Sequence, residues 1–455
     1  MFTPQNGSYP GKIRNDGIRA HPGIRPFPVT RQHRLSSSRN TRGDPHRRSL
    51  RWFASALRIL SPSPALTAER SDLGASIRPI SICHGFTLWR RAIVRSLLAA
   101  FDSRAQFTAP DEDPVPRARR RDAGIVVWAG EEPPGLARQC SEEGIPLLRM
   151  EDGFIRSVGL GSDFSWPYSM VLDRGGIYFD PESDSDLERL LENTDFDASM
   201  LQRAARLRQR VVSDRVTKYQ QGGEAPALGQ LPSDRKRILV PGQVPQDASV
   251  VRGGGEIRSN LALLAAVRRA NPEAYVLYKP HPDVARGNRN GAVHPDDLLR
   301  LADREVTGVP IASLFAQVDE VHTLTSLAGF EALLRDKPVH TYGRPFYAGW
   351  GLTRDRYDFP RRSRQLTVDE LVAGSLIAYP LYFDWARGDL QTVESALDQL
   401  AAARLPLPLR LRSRLFFTGR ALLKATGLMN VLRRCKGKAD EIPRVERNGA
   451  QRGEE

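Results

Sequence analysis

The chain has 455 residues, 40% hydrophobic and 26% charged. That suits two ordinary globular domains, with no apolar run near the ~20 residues needed to span a bilayer. Its three scattered cysteines, Cys83, Cys140 and Cys435, make neither a metal spacing nor a disulfide framework and fit a reducing cytoplasm. The net charge of +14 sits in the tails: 1–78 and 404–438 carry +10 each and 439–455 carries −2, leaving −4 over 79–403, so the basic footprint of a nucleic-acid-binding domain is missing and no nucleic-acid partner is expected.

Residues 1–78 are rich in Arg, Pro, Ser and Gly without periodicity. They read as a disordered basic tail lacking the apolar region of a signal peptide. Order is expected from Ile80. Residues 89–98 place apolar side chains at helical spacing, 109–122 read as a loop, and 125–129 as a buried parallel strand. A helix is expected over 135–143, and then a second strand from 145 to 150 ending at Glu151. Ser183 and Asp184 cap a helix to about residue 192. Residues 222–233 are the best linker.

Beyond it the β-then-α rhythm is clearer. Strands are expected at 238–240, 275–278, 320–322 and 339–342, with helices over 257–270 and 327–336. Such alternation implies parallel, doubly wound sheets. Two such units make an α/β protein with two Rossmann-like domains facing a central cleft, where ligands bind beyond the carboxyl ends of the strands. The expected domains are 79–232 and 233–403, flanked by the tail 1–78 and by basic C-terminal helices in 404–455.

Polar clusters stand at those strand ends. Glu151 and Asp152 precede Gly153, which allows a sharp turn. Neighbouring strand residues face opposite ways, so both acids enter one site only if the strand turns there. One is then catalytic and the other holds amides or a base; otherwise the pair caps a turn. Lys279 and His281 stand on a loop stiffened by Pro280 and Pro282, suited to a phosphate or carboxylate, or simply a surface turn. Ser326 opens a helix whose free N–H groups favour an anion, with Glu331 in reach of ribose hydroxyls, or it is plain capping. Gln243, after Pro241 and Gly242, with Asp247 and the glycines 253–255, forms a second candidate cradle. The aromatic run 342–353 suits sugar stacking or core packing. The acids 111–113 and 184–186 read as structural, and no metal and no cofactor is expected. The stretch 404–438 joins ten cations and no acids to many Leu and Phe residues, which suits a helix on an anionic membrane surface or one packed on the body.

The ordered set 85–91, 151–161, 176–180, 241–247, 278–283, 326–331 and 345–353 resembles the capsular polysaccharide biosynthesis protein family of the KpsC type, over about 80–400. The resemblance implies a GT-B-like pair of domains and a retaining transferase of β-Kdo (3-deoxy-D-manno-octulosonic acid). It implies CMP-β-Kdo as donor and a Kdo linker on phosphatidylglycerol as acceptor, at the cytoplasmic face of the Gram-negative inner membrane, with a partner Kdo transferase and the capsule export machinery as partners. Longer members carry two modules, whereas each motif occurs here once. Retention through two displacements makes Asp152 the expected nucleophile, with Glu151 as acid/base or orienter. Lys279, His281 and the Ser326 helix end would stabilise the leaving phosphate, Gln243 would belong to the donor site, Glu331 would hold the ribose, and Arg156 would hold the Kdo carboxylate. The alternatives are a non-catalytic capsule-export scaffold, or a transferase for another CMP-activated acid sugar such as a sialic acid.

Overall fold

The computed structural model describes residues 73–158, 166–220 and 228–402. The expected tail 1–78 is described only from residue 73, where Leu73 and Ile77 are already buried in a core cluster, so order starts earlier than Ile80. Residues 1–72 and the segment from 403 on, with the expected membrane helix, lie outside the described residues.

The first sheet starts as expected. Strands β1 (Ile80–His84), β2 (Arg104–Phe107), β3 (Gly124–Trp128) and β4 (Leu147–Asp152) alternate with helices α1 (Arg90–Ala99), α2 (Pro114–Arg120) and α3 (Leu136–Glu142). They pair in parallel in the order β2-β1-β3-β4. Strand β3 is buried at every residue, as its unbroken apolar run demands of a strand covered on both faces. Helix α2 lies inside the stretch expected to be a loop. Asp113 starts it by accepting from the Val115 amide at 3.0 Å, and Pro114 occupies the first turn, where a missing N–H costs nothing.

The expected parallel order then fails. After a short strand β5 (Ser157–Val158), β6 (Ser169–Asp173) runs antiparallel to β4. Two helices follow, α4 (Asp186–Asn193) and α5 (Ala198–Ser213), capped by Ser185 and Asp197. Helix α5 buries Met200, Ala204, Leu207 and Val211, one stripe of an otherwise arginine-rich surface. Strand β7 (Tyr219–Gln220) pairs with β5.

The second sheet is parallel throughout. Its elements are β8 (Arg237–Pro241), α6 (Ala248–Gly253), α7 (Asn260–Ala270), β9 (Tyr275–Lys279), α8 (Pro282–Ala285), α9 (Pro295–Leu301), β10 (Arg304–Glu305), α10 (Ile311–Phe315), β11 (Glu320–Thr323), α11 (Leu327–Leu333), β12 (Val339–Thr341) and β13 (Arg354–Asp355). The strand order is β10-β9-β8-β11-β12-β13, that of a dinucleotide-binding fold. The strand order reverses between β8 and β11, so a crevice is expected beyond their carboxyl ends.

The chain then turns back. Helix α12 (Val368–Val372), opened by a Thr367–Glu370 capping box, runs into a wholly buried π-helical turn at 373–378. Strands β14 (Leu381–Asp384) and β15 (Asp389–Gln391) extend the first sheet antiparallel on the far side of β6, and α13 (Val393–Ala401) follows. Residues 381–391, which follow the second sheet in sequence, therefore complete the first. The two-sheet, cleft-bearing α/β architecture expected from the sequence is present, with a mixed rather than parallel first sheet.

Candidate active site

A cleft of about 1390 Å³ is lined by the ends of β4, β8, β9 and β11. That exceeds a typical single-ligand pocket of roughly 300–1,000 Å³ and leaves room for two ligands. All eight candidate residues line it: Glu151, Asp152, Arg156, Gln243, Lys279, His281, Ser326 and Glu331.

The acid pair sits on the last two residues of β4. Both face the cleft because the chain leaves the strand at Gly153. That glycine is not in the left-handed region; it is needed for closeness. A Cβ there would lie 2.3 Å from the Ser169 Oγ. Behind the pair, Phe154 stacks on Phe346 at 4.5 Å and meets the edge of Tyr178 at 4.8 Å. The Tyr178 hydroxyl donates to the Asp152 carbonyl at 3.2 Å. This aromatic floor fixes the strand end.

The two acids differ electrostatically. Burial, then the neighbouring Asp152 charge, pushes the Glu151 carboxyl up to about 8. Burial alone would raise Asp152 too. The Arg156 and Arg90 guanidinium groups and the Lys218 ammonium outweigh it and hold Asp152 below the usual carboxylate range. Arg156 Nε donates to Asp152 Oδ2 at 2.7 Å, with the arginine side chain only 1% exposed. The surroundings therefore favour the proton on Glu151 and the charge on Asp152. Two carboxyl groups with proton affinities driven apart by their surroundings are the usual signature of divided acid–base and nucleophilic roles. Arg156, expected to meet a ligand carboxylate, lines the cleft and donates its Nε to Asp152.

On the opposite wall, Lys279 Nζ donates to the Val309 carbonyl at 2.7 Å, and burial lowers its proton affinity. His281 caps α8. Its Nδ1 accepts from the Asp283 amide at 3.1 Å. Burial first lowers its pKa and so favours the neutral ring, whose proton the Asp283 contact leaves to Nε2. Ser326 spends its hydroxyl on the Ala328 amide at 3.2 Å, as a cap. Glu331 accepts from the Lys218 amide at 2.7 Å, and burial raises its carboxyl to about 7. Gln243 spans the point where the strand order reverses: its Nε2 donates to Thr325 Oγ1 and its Oε1 accepts from the Thr325 amide, both at 3.0 Å. It is a staple between the β8 and β11 ends. Asp247 is paired with Arg289. The aromatic run resolves mostly to core, with Tyr347 and Trp350 fully buried and only Phe346 of its rings on the cleft.

Trp89, Arg90, Trp128 and Lys218, to which the sequence alone assigns no role, also line the cleft. Arg90 and Lys218 tune both acids. An arginine next to Trp89 was the available signal, but only the fold brings α1 and Trp128 to the end of β4. Outside the cleft, Glu320 Oε2 lies 3.3 Å from His322 Nε2 and 3.4 Å from His340 Nε2, a grouping of metal-ligand type, although the other Glu320 oxygen already faces Lys236 at 3.1 Å.

A cleft between two α/β sheets, with two adjacent carboxyl groups at the end of β4 and Lys279 at the end of β9, defines the class of two-sheet α/β proteins that carry a ligand site beyond their strand ends. The family model described as "Capsule polysaccharide biosynthesis protein" matches residues 123–383, and the chain belongs to that family. It is 46% identical over 303 residues to the capsule polysaccharide modification protein LipA of Neisseria meningitidis serogroup A, covering 66% of this chain and 42% of the relative. The chain thus spans less than half the length of that relative. It is 36% identical over 348 residues to the lipopolysaccharide-processing protein LpsZ of Rhizobium meliloti, covering 76% and 79%. Among solved structures it is similar to the Thermosulfurimonas dismutans KpsC beta Kdo 2,7 transferase, with TM-score 0.58 and 35% identity over 71% of this chain and 99% of that one. The KpsC beta Kdo 2,4 transferase of the same organism has TM-score 0.58 and 27% identity, covering 70% and 97%.

Proposed function

We propose that the chain is a retaining glycosyltransferase that moves β-Kdo from CMP-β-Kdo to a Kdo-bearing lipid acceptor during capsule assembly. The observation that carries this reading is the split pair, an ionised Asp152 gripped by Arg156 beside a protonated Glu151, in a family whose solved relatives are named Kdo transferases. The 79–232 part supplies the acids and the 233–403 part the nucleotide side, with 381–391 returning to the first.

In the first step the Asp152 carboxylate attacks the anomeric carbon. A C–O bond forms to Asp152, the bond to the phosphate breaks, and CMP leaves with the electron pair. Lys279 and the Nε2–H of His281 meet the charge on that phosphate, and Glu331 takes the ribose hydroxyls. Esterified Asp152 no longer carries a charge, so one cause of the high Glu151 proton affinity disappears while Arg90 and Lys218 remain. Glu151 then releases its proton to the departing phosphate or to solvent. In the second step it takes a proton from the acceptor hydroxyl as that oxygen displaces Asp152. Two inversions give retention. The segment 404–438 would hold the enzyme on the inner face of the inner membrane, next to a lipid-linked acceptor and the export machinery.

Asp152→Asn should lower transfer by about 10³-fold or more without unfolding the protein. Intact-mass spectrometry of the wild type with donor alone should show one added Kdo residue, mapped to Asp152. Full turnover in Asp152→Asn, or an adduct on another residue, overturns the assignment.

A further inference from the structure

We propose that Arg90 is the receptor for the carboxylate of the donor sugar, and so makes the site selective for sugars with an anionic group on the reacting carbon. The inference rests on the transferase reading above and names the residue that reads the substrate class.

Arg90 opens α1 and faces the cleft between two indoles. Its guanidinium carbon lies 3.6 Å from the centre of the Trp128 ring and 4.9 Å from that of Trp89. A guanidinium packed on an indole face keeps its N–H groups in the plane parallel to the ring, where they suit a planar carboxylate. Of the five other arginines that line the cleft, all but Arg215, which follows α5, have a carboxylate partner. Arg156 is paired with Asp152, Arg252 with Asp180, Arg289 with Asp247 and Arg344 with Glu182. Arg90 makes no ion pair within 4.0 Å among the described residues, and its buried Nε has no hydrogen-bond partner. A buried donor in a polar cleft without a partner marks a place where a ligand atom belongs.

The position fits the chemistry. Arg90 is close enough to Glu151 and Asp152 to bias both, yet it is not in contact with either. In a 2-keto acid sugar the carboxylate is bonded directly to the anomeric carbon. When Asp152 reaches that carbon, the carboxylate must lie beside the nucleophile, and two like charges would meet. A cation held by the tryptophans at that place removes the repulsion and fixes which face of the sugar is presented. Arg156, by contrast, has its Nε bound to Asp152 Oδ2 and so holds the nucleophile itself.

The test compares CMP-β-Kdo with the same donor carrying a carboxamide in place of the carboxylate, for wild type, Arg90→Gln and Arg90→Lys. Circular dichroism and affinity for CMP alone check the fold and the nucleotide side. Wild type should prefer the acid donor by at least ~100-fold in kcat/KM. Arg90→Gln should lose that factor on the acid donor and nothing further on the amide. Arg90→Lys should recover part of it, which keeps the test informative if the Gln variant folds poorly. Equal wild-type turnover of the two donors, or an Arg90→Gln loss that is the same on both, overturns the proposal and leaves the transferase reading standing. A wild type that turns over no CMP-activated acid sugar overturns both.

Discussion

At the scale of single residues, most of the eight cleft residues were legible because they stand at or just past the end of a strand, and strand ends can be read from short apolar runs; Glu331 lies inside α11 and Arg156 four residues past β4. What each side chain does once there was not legible. Gln243 is consumed by Thr325, Ser326 by its own helix, and Arg156 by Asp152. Those partners are up to 82 positions away in the chain. The division of labour between Glu151 and Asp152 also needed the fold, because the burial that raises Glu151 and the contact by which Arg156 holds down Asp152 alone both depend on how the chain turns after β4. It has a consequence for stability. Burial first raises the Glu151 carboxyl from an ordinary 4.5 to about 8. The fold therefore favours its protonated form. That contribution is complete below pH ~4.5 and is lost as pH rises through about 8. Glu151→Gln, neutral at every pH, should melt roughly 5–10 °C above wild type at pH 9 and close to wild type at pH 5, by calorimetry. An offset equal at both pH values would contradict the shift.

At the scale of elements, the second sheet was legible and the first only in part. In the second sheet β8, β9 and β11 are followed by helices whose starts are marked by Ser259, His281, His294 or Ser326. In the first, the run Ser169–Asp173 is buried at all five residues, and a run of that kind does not encode its direction. Helices α2 and α5 were missed because arginines crowd them, and their apolar stripe counts only against the surface it meets. One junction of elements shows what such arginines do. Arg362 binds Glu188 of α4 at 2.9 Å, with 5% and 7% of the two side chains exposed, and also donates to the Pro345 carbonyl at 2.9 Å. Arg361 reaches the other Glu188 oxygen at 2.6 Å. Removing one partner leaves a buried charge only half compensated. Arg362→Met should therefore cost about 3 kcal/mol in urea unfolding. The double variant Arg362→Met/Glu188→Leu should recover part of that loss; equal losses in single and double variants would argue against a coupled pair.

At the scale of the whole molecule, the tails carry the positive charge and the body between them does not. Where the body should reside thus depends on 404–438. Deleting that segment should reduce binding to vesicles containing phosphatidylglycerol by ~10-fold or more at 0.1 M salt, and leave turnover on a water-soluble acceptor within about two-fold. Unchanged vesicle binding would end the membrane reading. The body itself was predicted as two consecutive units, and its two sheets and cleft were legible because the strand–helix rhythm appears on both sides of a glycine-rich linker. The return of the chain was not legible, because 381–391 look like any other short strands and their pairing partner is remote.

That return bears on how the protein comes into being. Tyr379 closes on Asp173 across 206 positions, by a hydrogen bond of 2.8 Å, and β14 takes its place on β6 only after the second sheet's entire sequence has been made. During synthesis β6 is an open edge of the kind that invites association with other chains. The N-terminal part cannot finish first and wait, as a sequential domain would. Maturation of the acid-bearing wall, whose β4 lies directly against β6, is in this way deferred until the nucleotide side exists to face it.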